Sequence, residues 1–471
     1  VGRRFGADDS VGLRLNAVRR DGDTGVAREH REPGLLTLGV DYAGRDVRLS
    51  ADVGHQDHKL NGARPSVTVA ADVALPAAHG NWAQAWTRSN ERDTFGTARG
   101  EIDLAREVVA WAAFGARAGE ESNVLAAPSV SAPNGAAGMY RVDSARTGES
   151  GVRGKLRTGA VGHSLSASAS AYRQQSRNAY AFSDFGGFAS NIHAPVDVAA
   201  PAADFFAAGK LNNLPPTAKT VLSSYAVADT LAFARDTILL TPGARHQHIQ
   251  ADSYDYDSGA ALSRYSESKN TPMAGLVYKP ARGVSLYANY IEGLQQGPVA
   301  SGTNIDNIGQ AFAPYVSRQK EIGVKYDGGA FGASAALFRT TPPSASVRER
   351  HFGVFGEQRN QGLELTVFGA PARGLRALGG LTLLDATQRV SADGLKQGKD
   401  AIGVPRAQMN IGVAWDVPGA RGLTPTARGL CTGAQFADGA NRQELPSWSR
   451  LDLGASRRPV APAARHRHTA T

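Results

Sequence analysis

The stretch Val284–Arg339, VSLYANYIEGLQQGPVASGTNIDNIGQAFAPYVSRQKEIGVKYDGGAFGASAALFR, contains three segments of period two. Val284, Leu286, Ala288 and Tyr290 alternate with Ser285, Tyr287 and Asn289; Ile322, Val324 and Tyr326 alternate with Glu321, Gly323 and Lys325; Phe331, Ala333, Ala335 and Leu337 alternate with smaller or more polar residues. Alternation places one set on each face of a pleated strand. One face is continuously apolar and the other carries Glu, Lys, Asn and Ser. Asp327-Gly328-Gly329 joins the second and third segments as a tight hairpin turn, whereas a long Gly/Asn/Pro-rich loop joins the first and second.

That asymmetry recurs outward in both directions. Leu36, Leu38, Val40 and Tyr42 should pair with Val47, Leu49, Ala51 and Val53 across a tight turn at 43–46. The opposite face holds Thr37, Asp41, Arg48, Ser50 and Asp52, which are too costly to expose to lipid and therefore need a wet side. Ser164, Ser166, Ser168 and Ser170 alternate with Leu165, Ala167, Ala169 and Ala171 in the plainest polar-in, apolar-out pattern. Eighteen such strands and an initial stub are expected, with every second connection short. The other connections are long, notably 54–90, 119–147 and 174–221, and Pro242 suggests an irregular strand. Structureless loops of this length are rare in compact soluble domains and expected on the outer side of a membrane barrel. The fold class is thus all-β, an antiparallel transmembrane β-barrel with long extracellular loops and short periplasmic turns.

Composition agrees. The chain has 471 residues, 54 glycines and one cysteine, Cys431, read as an incidental small apolar residue. No run of eighteen apolar residues exists and mean hydropathy is −0.29, which excludes a transmembrane helix but not barrel strands. The net charge of +9 is scattered over strands and loops without a nucleic-acid motif, so no nucleic-acid partner is implied. No serine sits in Gly-x-Ser-x-Gly, and no glycine-rich segment leads into a helix; the chain is not read as an enzyme. His246 and His248 share one strand face without a third ligand nearby, and read as a wet-face pair and not as a metal site.

The residues Leu286-Tyr287-Ala288-Asn289-Tyr290-Ile291-Glu292-Gly293, then Arg318-Gln319-Lys320-Glu321-Ile322-Gly323-Val324-Lys325-Tyr326-Asp327, resemble the mid-barrel signature of TonB-dependent siderophore receptors. Gln358-Arg359-Asn360-Gln361-Gly362-Leu363-Glu364-Leu365 and Gly403-Val404-Pro405-Arg406 resemble later barrel motifs of the same family, in family order. The resemblance implies import of a ferric siderophore, hydroxamate-type favoured, across the bacterial outer membrane. Iron would arrive as a chelate, so neither a cofactor nor a protein metal ligand is required. The implied partners are the TonB–ExbB–ExbD system, engaged through an amino-terminal region, and outer-membrane lipid and lipopolysaccharide. The family's barrel of about twenty-two strands follows a plug domain. Residues 1–456 would be part of that barrel, truncated at both ends, without the plug and inactive alone. Residues 457–471 read as an irregular tail of the kind a shifted reading frame produces. The implied ligand pocket is lined by loop aromatics; Trp82, Trp86, Tyr180, Phe185, Tyr254, Tyr256 and Tyr315 lie in or beside long loops. Packing of loops or an interfacial girdle would place aromatics there equally. A passive, plugless porin-like barrel is the alternative reading; a soluble β-rich adhesin is disfavoured because no internal repeat is visible.

Overall fold

The computed structural model describes residues 1–67, 74–127, 135–184, 187–302, 304–391, 396–420 and 422–457. The strands, in chain order, are β1 (Gly2–Phe5), β2 (Val11–Arg19), β3 (Gly22–Asp23), β4 (His30–Ala43), β5 (Val47–Asn61), β6 (Arg88–Ala105), β7 (Val108–Ala127), β8 (Gly135–Thr158), β9 (Val161–Phe182) and β10 (Phe206–Ala208). Then come β11 (Pro216–Phe233), β12 (Ile238–Tyr254), β13 (Ala261–Ala281), β14 (Val284–Gln295), β15 (Tyr315–Asp327), β16 (Phe331–Thr341), β17 (Pro343–Arg348) and β18 (His351–Ala372). The last are β19 (Leu375–Val390), β20 (Ala407–Trp415), β21 (Leu423–Thr432), β22 (Gln435–Phe436), β23 (Glu444–Leu445) and β24 (Trp448–Arg457). Eighteen of these have nine or more residues, and β1 is the stub, matching the expected count. The only helix among the described residues is a 3-10 turn at Ala7–Asp9; no helix is long and apolar enough to cross a membrane.

Two compact units divide the chain: Val1–Thr230 with Gly243–Pro272, and Leu231–Pro242 with Met273–Thr471. In the first, β2, β4, β5, β6, β7, β8 and β9 pair antiparallel, each with the next. The register is the one the alternation dictates: Tyr42 faces Leu49, Val40 faces Ala51, and Leu38 faces Val53. In the second, β14, β15, β16, β18, β19, β20, β21 and β24 follow the same rule. Leu286 opposes Val324, and Ile322 opposes both Ala288 and Leu337, so one apolar face runs unbroken across these strands.

Packing is inside-out. Among the described residues, the buried apolar side chains are alanines apart from Ile249, Tyr265 and Ile305. Many large ones lie exposed on the apolar face of the strands, among them Ile322 at 57%, Leu337 at 54% and Leu451 at 67% in the second unit. Such an expanse of exposed apolar surface is not a feature of water-soluble monomers. In the second unit Tyr278, Tyr326 and Trp415 stand exposed, each within a few residues of a short turn, as in an interfacial aromatic row; in the first, Tyr42 stands exposed beside its own short turn.

The polar face is tied by charge. Glu101 accepts from Arg48 (3.3 Å), Arg99 (2.8 Å) and Arg153 (3.1 Å), Arg48 also clamps Asp103 through two bonds, and Arg99 lies over the Trp111 ring at 4.8 Å. Arg14 meets Asp52 at 3.0 Å and Arg4 meets Asp41 at 2.8 Å. These exposed pairs contribute little stability individually; they show that Asp41, Arg48 and Asp52 lie on the wet side, as expected. Tyr287 on that face donates to Glu321 at 2.7 Å, and its ring lies across Gly323.

The long connections are shorter than expected. β7 continues to Ala127 and β8 starts at Gly135, where a loop over 119–147 was expected; β9 runs to Phe182 and β11 starts at Pro216, where one over 174–221 was expected; and the 54–90 connection shrinks to 62–87. β12 runs through Pro242 without a break. The residual tail beyond Arg457 lies outside the described residues.

A Cβ at Gly323 would meet the Tyr287 ring and the Ala335 carbonyl at 2.6 Å. Gly323→Val should therefore displace the ring and cost about 1–3 kcal/mol, read as a lower denaturant midpoint. Gly293→Val, where nothing lies within 4 Å, should cost much less.

Candidate functional site

Those of the aromatics singled out from sequence that are described fall in or beside the connections opposite the short turns. In the first unit, the 62–87 loop closes where Gly62 N–H donates to the Thr87 carbonyl at 2.8 Å. Gln84, 1% exposed, donates to the Val196 carbonyl (3.0 Å) and accepts from Val198 N–H (2.8 Å). Arg28, at φ 59°, donates to both Asp197 carboxylate oxygens and to the carbonyls of Asn81 and Ala83. Trp86 Nε1 donates to the Val198 carbonyl at 3.0 Å; Trp82 Nε1 donates to the Pro65 carbonyl at 2.9 Å, with Arg64 over its ring at 5.1 Å. Both tryptophans are half-buried fasteners between loop segments.

Tyr180 and Tyr256 come together. Their rings meet edge-on at 5.2 Å, with Phe182 5.4 Å from Tyr180, and Asn178 Nδ2 donates to the Tyr256 hydroxyl at 3.3 Å. Asn178 Oδ1 is buried without a hydrogen-bond partner among the described residues. Tyr254 is two residues from Tyr256 and half-buried. The hairpin bearing them is closed by Asp255, whose carboxylate accepts from Ser258 N–H (2.8 Å), the Ser258 hydroxyl (2.7 Å) and Asp257 N–H (3.1 Å). The Ser258 backbone bond, then its hydroxyl and Asp257, hold the Asp255 pKa below the usual aspartate value. Asp257 in turn accepts from Gly209 N–H at 2.9 Å, seating the 183–215 connection against this hairpin. His246 and His248 each use Nδ1 on a separate partner of β13, Asn270 at 2.7 Å and Ser268 at 2.9 Å. No group of three or more metal-ligating side chains occurs among the described residues.

In the second unit, Tyr315 is the first residue of β15, opposite Gln295, and half-buried. Here too polar residues pin loops. Asn307 exchanges two bonds with the Phe352 backbone (2.8 and 2.9 Å), Arg350 holds Asp306, and Phe312 packs on Phe352 at 5.7 Å. Asn441 joins Asp400, and Asp438 caps the backbone of Ala440, Arg442 and Gln443. Phe185 lies outside the described residues. Sequence reasoning missed Arg28, Gln84, Asn178, Asp197 and Asn307, because single polar residues in loops carry no periodic signal; Gln84 beside Asn81-Trp82 was the nearest hint.

Gln84→Ala leaves the Val196 carbonyl and Val198 N–H unpaired, at a cost of about 1–3 kcal/mol. Faster amide exchange in both 74–87 and 196–198 is expected, with the strand ladders unchanged. Asp255 stabilises its hairpin fully above the unfolded aspartate pKa, and that contribution fades as pH falls through the lower folded value. Intrinsically corrected exchange at Asp257 and Ser258 should therefore rise only on strong acidification, and Asp255→Ala should remove that pH dependence.

The family model described as TonB dependent receptor-like, beta-barrel, matches residues 11–462. The ferrichrome receptor FcuA of Yersinia enterocolitica is 33% identical over 468 residues, covering 96% of this chain and 61% of that receptor. The ferrichrome outer membrane transporter/phage receptor of Escherichia coli is 25% identical over 226 residues, 46% of this chain and 29% of that protein. The crystal structure of BauA, the ferric preacinetobactin receptor from Acinetobacter baumannii, matches with a TM-score of 0.86 at 30% identity, over 96% of this chain and 69% of that one. The chain thus spans 61% of the length of FcuA. The inside-out strands and these matches agree: the chain belongs to the TonB-dependent receptor family, forms β-barrel structure of that family, and is an outer-membrane protein.

Proposed function

We propose that the protein built on this barrel imports a ferric siderophore, of the hydroxamate type, with energy delivered through TonB. The observation that carries the reading is the 33% identity to a ferrichrome receptor over 468 residues. Ferrichrome is a trihydroxamate iron chelate: compact, with apolar flanks and carbonyl and hydroxamate oxygens on its surface. The Tyr180–Tyr256–Phe182 cluster offers matching chemistry. It has aromatic edges for the flanks, and hydroxyl and Asn178 amide groups for the oxygens. Iron travels inside the chelate, so the chain itself supplies no metal ligand and needs no cofactor. The rest of the transport cycle, including engagement of TonB, is proposed from family membership; it involves receptor rather than enzyme chemistry.

The test uses the complete receptor in cells lacking other hydroxamate receptors. Radiolabelled ferric ferrichrome should accumulate only with an intact TonB system. Tyr256→Ala should weaken binding roughly three- to tenfold, as expected for losing an aromatic contact, while the amount of receptor in the membrane stays unchanged. Uptake of ferric catecholates in preference to hydroxamates would overturn the ligand class, and equal uptake without TonB would favour a passive pore.

A further inference from the structure

One imidazole in the first unit meets a carboxylate at each of its ring nitrogens. His30, the first residue of β4, has Nδ1 3.0 Å from Asp23 Oδ1 and Nε2 2.9 Å from Asp21 Oδ1. An ionised carboxylate only accepts, so both bonds exist together only when the ring carries two N–H groups, as the imidazolium. The neutral ring keeps one bond and gives up the other. The charged groups on the face that His30 shares are Glu32 on its own strand, held by Arg19 at 3.4 Å, Lys59 on β5 opposite Glu32, and Arg88 on β6. Asn61, directly opposite His30, is uncharged. The Asp23 bond, and after it the Asp21 bond, raises the His30 pKa above its ordinary value.

This bridge closes a hairpin with a very short ladder. β3 has two residues, and its pairs with β4 are Gly22–Arg31 and Asp23–His30. Pairing over so few residues is marginal by itself. Yet the tip beyond it, 24–29, fastens two other connections. Ala27 N–H donates to the His79 carbonyl at 2.8 Å, and the Glu29 carboxylate accepts from Arg64 N–H at 3.4 Å. Arg28 reaches the Asn81 and Ala83 carbonyls of the 62–87 connection and, through both oxygens of Asp197, the 183–215 connection. The 183–215 connection is the one that Asp257 seats against the Tyr256 hairpin. Three connections thus meet at one tip, and the His30 bridge stands at its base.

We propose that His30 is a pH-dependent latch. As the imidazolium it holds Asp21 and Asp23 and keeps the 24–29 tip fastened to the 62–87 and 183–215 connections; as the neutral ring it loosens that fastening. Acid closes these loops on one another, and mildly alkaline conditions free them. The direction follows from linkage: a histidine whose folded pKa is raised contributes fully below its unfolded pKa, and the contribution is lost as pH rises through the folded value. The latch lies at the long-loop end of β4 and does not depend on the ligand proposed above.

The complete receptor, in mild detergent, is followed by mass spectrometry from about pH 5.5 to about pH 8.5, the range in which a histidine of raised pKa changes charge. Exchange of the imidazole C2 hydrogen reports the protonation of His30. Backbone amide exchange, corrected for its intrinsic pH dependence, reports the loops. Protection of 24–29, 74–87 and 196–198 should fall roughly two- to fivefold across the range, as expected for losing an exposed ion pair, with its midpoint at the His30 titration. The β5–β6 ladder should not change. His30→Gln should remove the dependence from all three segments. Asp197→Asn should keep it at 24–29 and lose it at 196–198. Level protection across the range in the unaltered receptor would overturn the proposal, as would a midpoint that departs from the His30 titration; neither result relies on a variant. Persistence of the dependence in His30→Gln, or at 196–198 in Asp197→Asn, would overturn it equally.

Discussion

In hydrocarbon every backbone N–H and C=O needs a partner within the protein, because an unpaired group costs several kcal/mol and no water can compensate. Antiparallel ladders meet that demand residue by residue, from Tyr42–Leu49 in the first unit to Ala427–Leu453 in the second. The demand explains the tolerance for weak side-chain packing. With backbone pairing supplied by the ladder and the apolar face turned to lipid, little apolar side chain is left to bury, and most of the buried apolar residues among those described are alanines. Glycine then becomes useful on the wet face, where Tyr287 lies flat over Gly323 and Phe368 over Gly332, large rings covering backbone that no side chain shields.

The same constraint determines how far the sequence could be read. Within the apolar band, alternation is enforced because each second residue meets lipid. The strand positions around Val284–Leu337, the Ser164–Ser170 ladder and the number of long strands were therefore legible. Beyond the band both faces meet water, and the pattern vanishes although the ladder continues. β7 and β8 pair from Val108–Gly154 to Ala127–Gly135, through Glu120–Val142 and Glu121–Arg141, with no apolar period to announce them. The overestimated connections at 119–147 and 174–221 have this single cause. β12 continues through Pro242 for a related reason: proline's lost donor signals a break only if that position needed one.

The candidate site was legible in residue type and illegible in role. Tryptophan and tyrosine in a loop announce a place where apolar area is valuable, and both outcomes are present. Trp82 and Trp86 spend their indole N–H groups on the Pro65 and Val198 carbonyls, and so tie loop to loop. Tyr180 and Tyr256 meet each other beside an asparagine whose oxygen has no partner among the described residues. What separates the two cases is the disposition of single polar groups, and that depends on contacts 112 residues apart in sequence, as between Gln84 and Val196. No local pattern encodes such a contact.

Loops carrying recognition on a membrane protein face a dilemma. They need irregular backbone to shape a site, yet irregular backbone has no ladder to hold it. The chain resolves this with polar side chains that act as surrogate strands. Gln84 offers the Val196 carbonyl a donor and the Val198 N–H an acceptor, as a neighbouring strand would; Asn307 does the same for Phe352, and Asn441 for Asp400. Amides suit the task because one side chain supplies both a donor and an acceptor at backbone spacing. Where an acceptor alone is needed, carboxylates replace them, as Asp255 and Asp438 do over successive N–H groups. The pairing rule that operates in lipid thus extends into water, carried there by a few side chains, and the aromatic cluster is held in place by it.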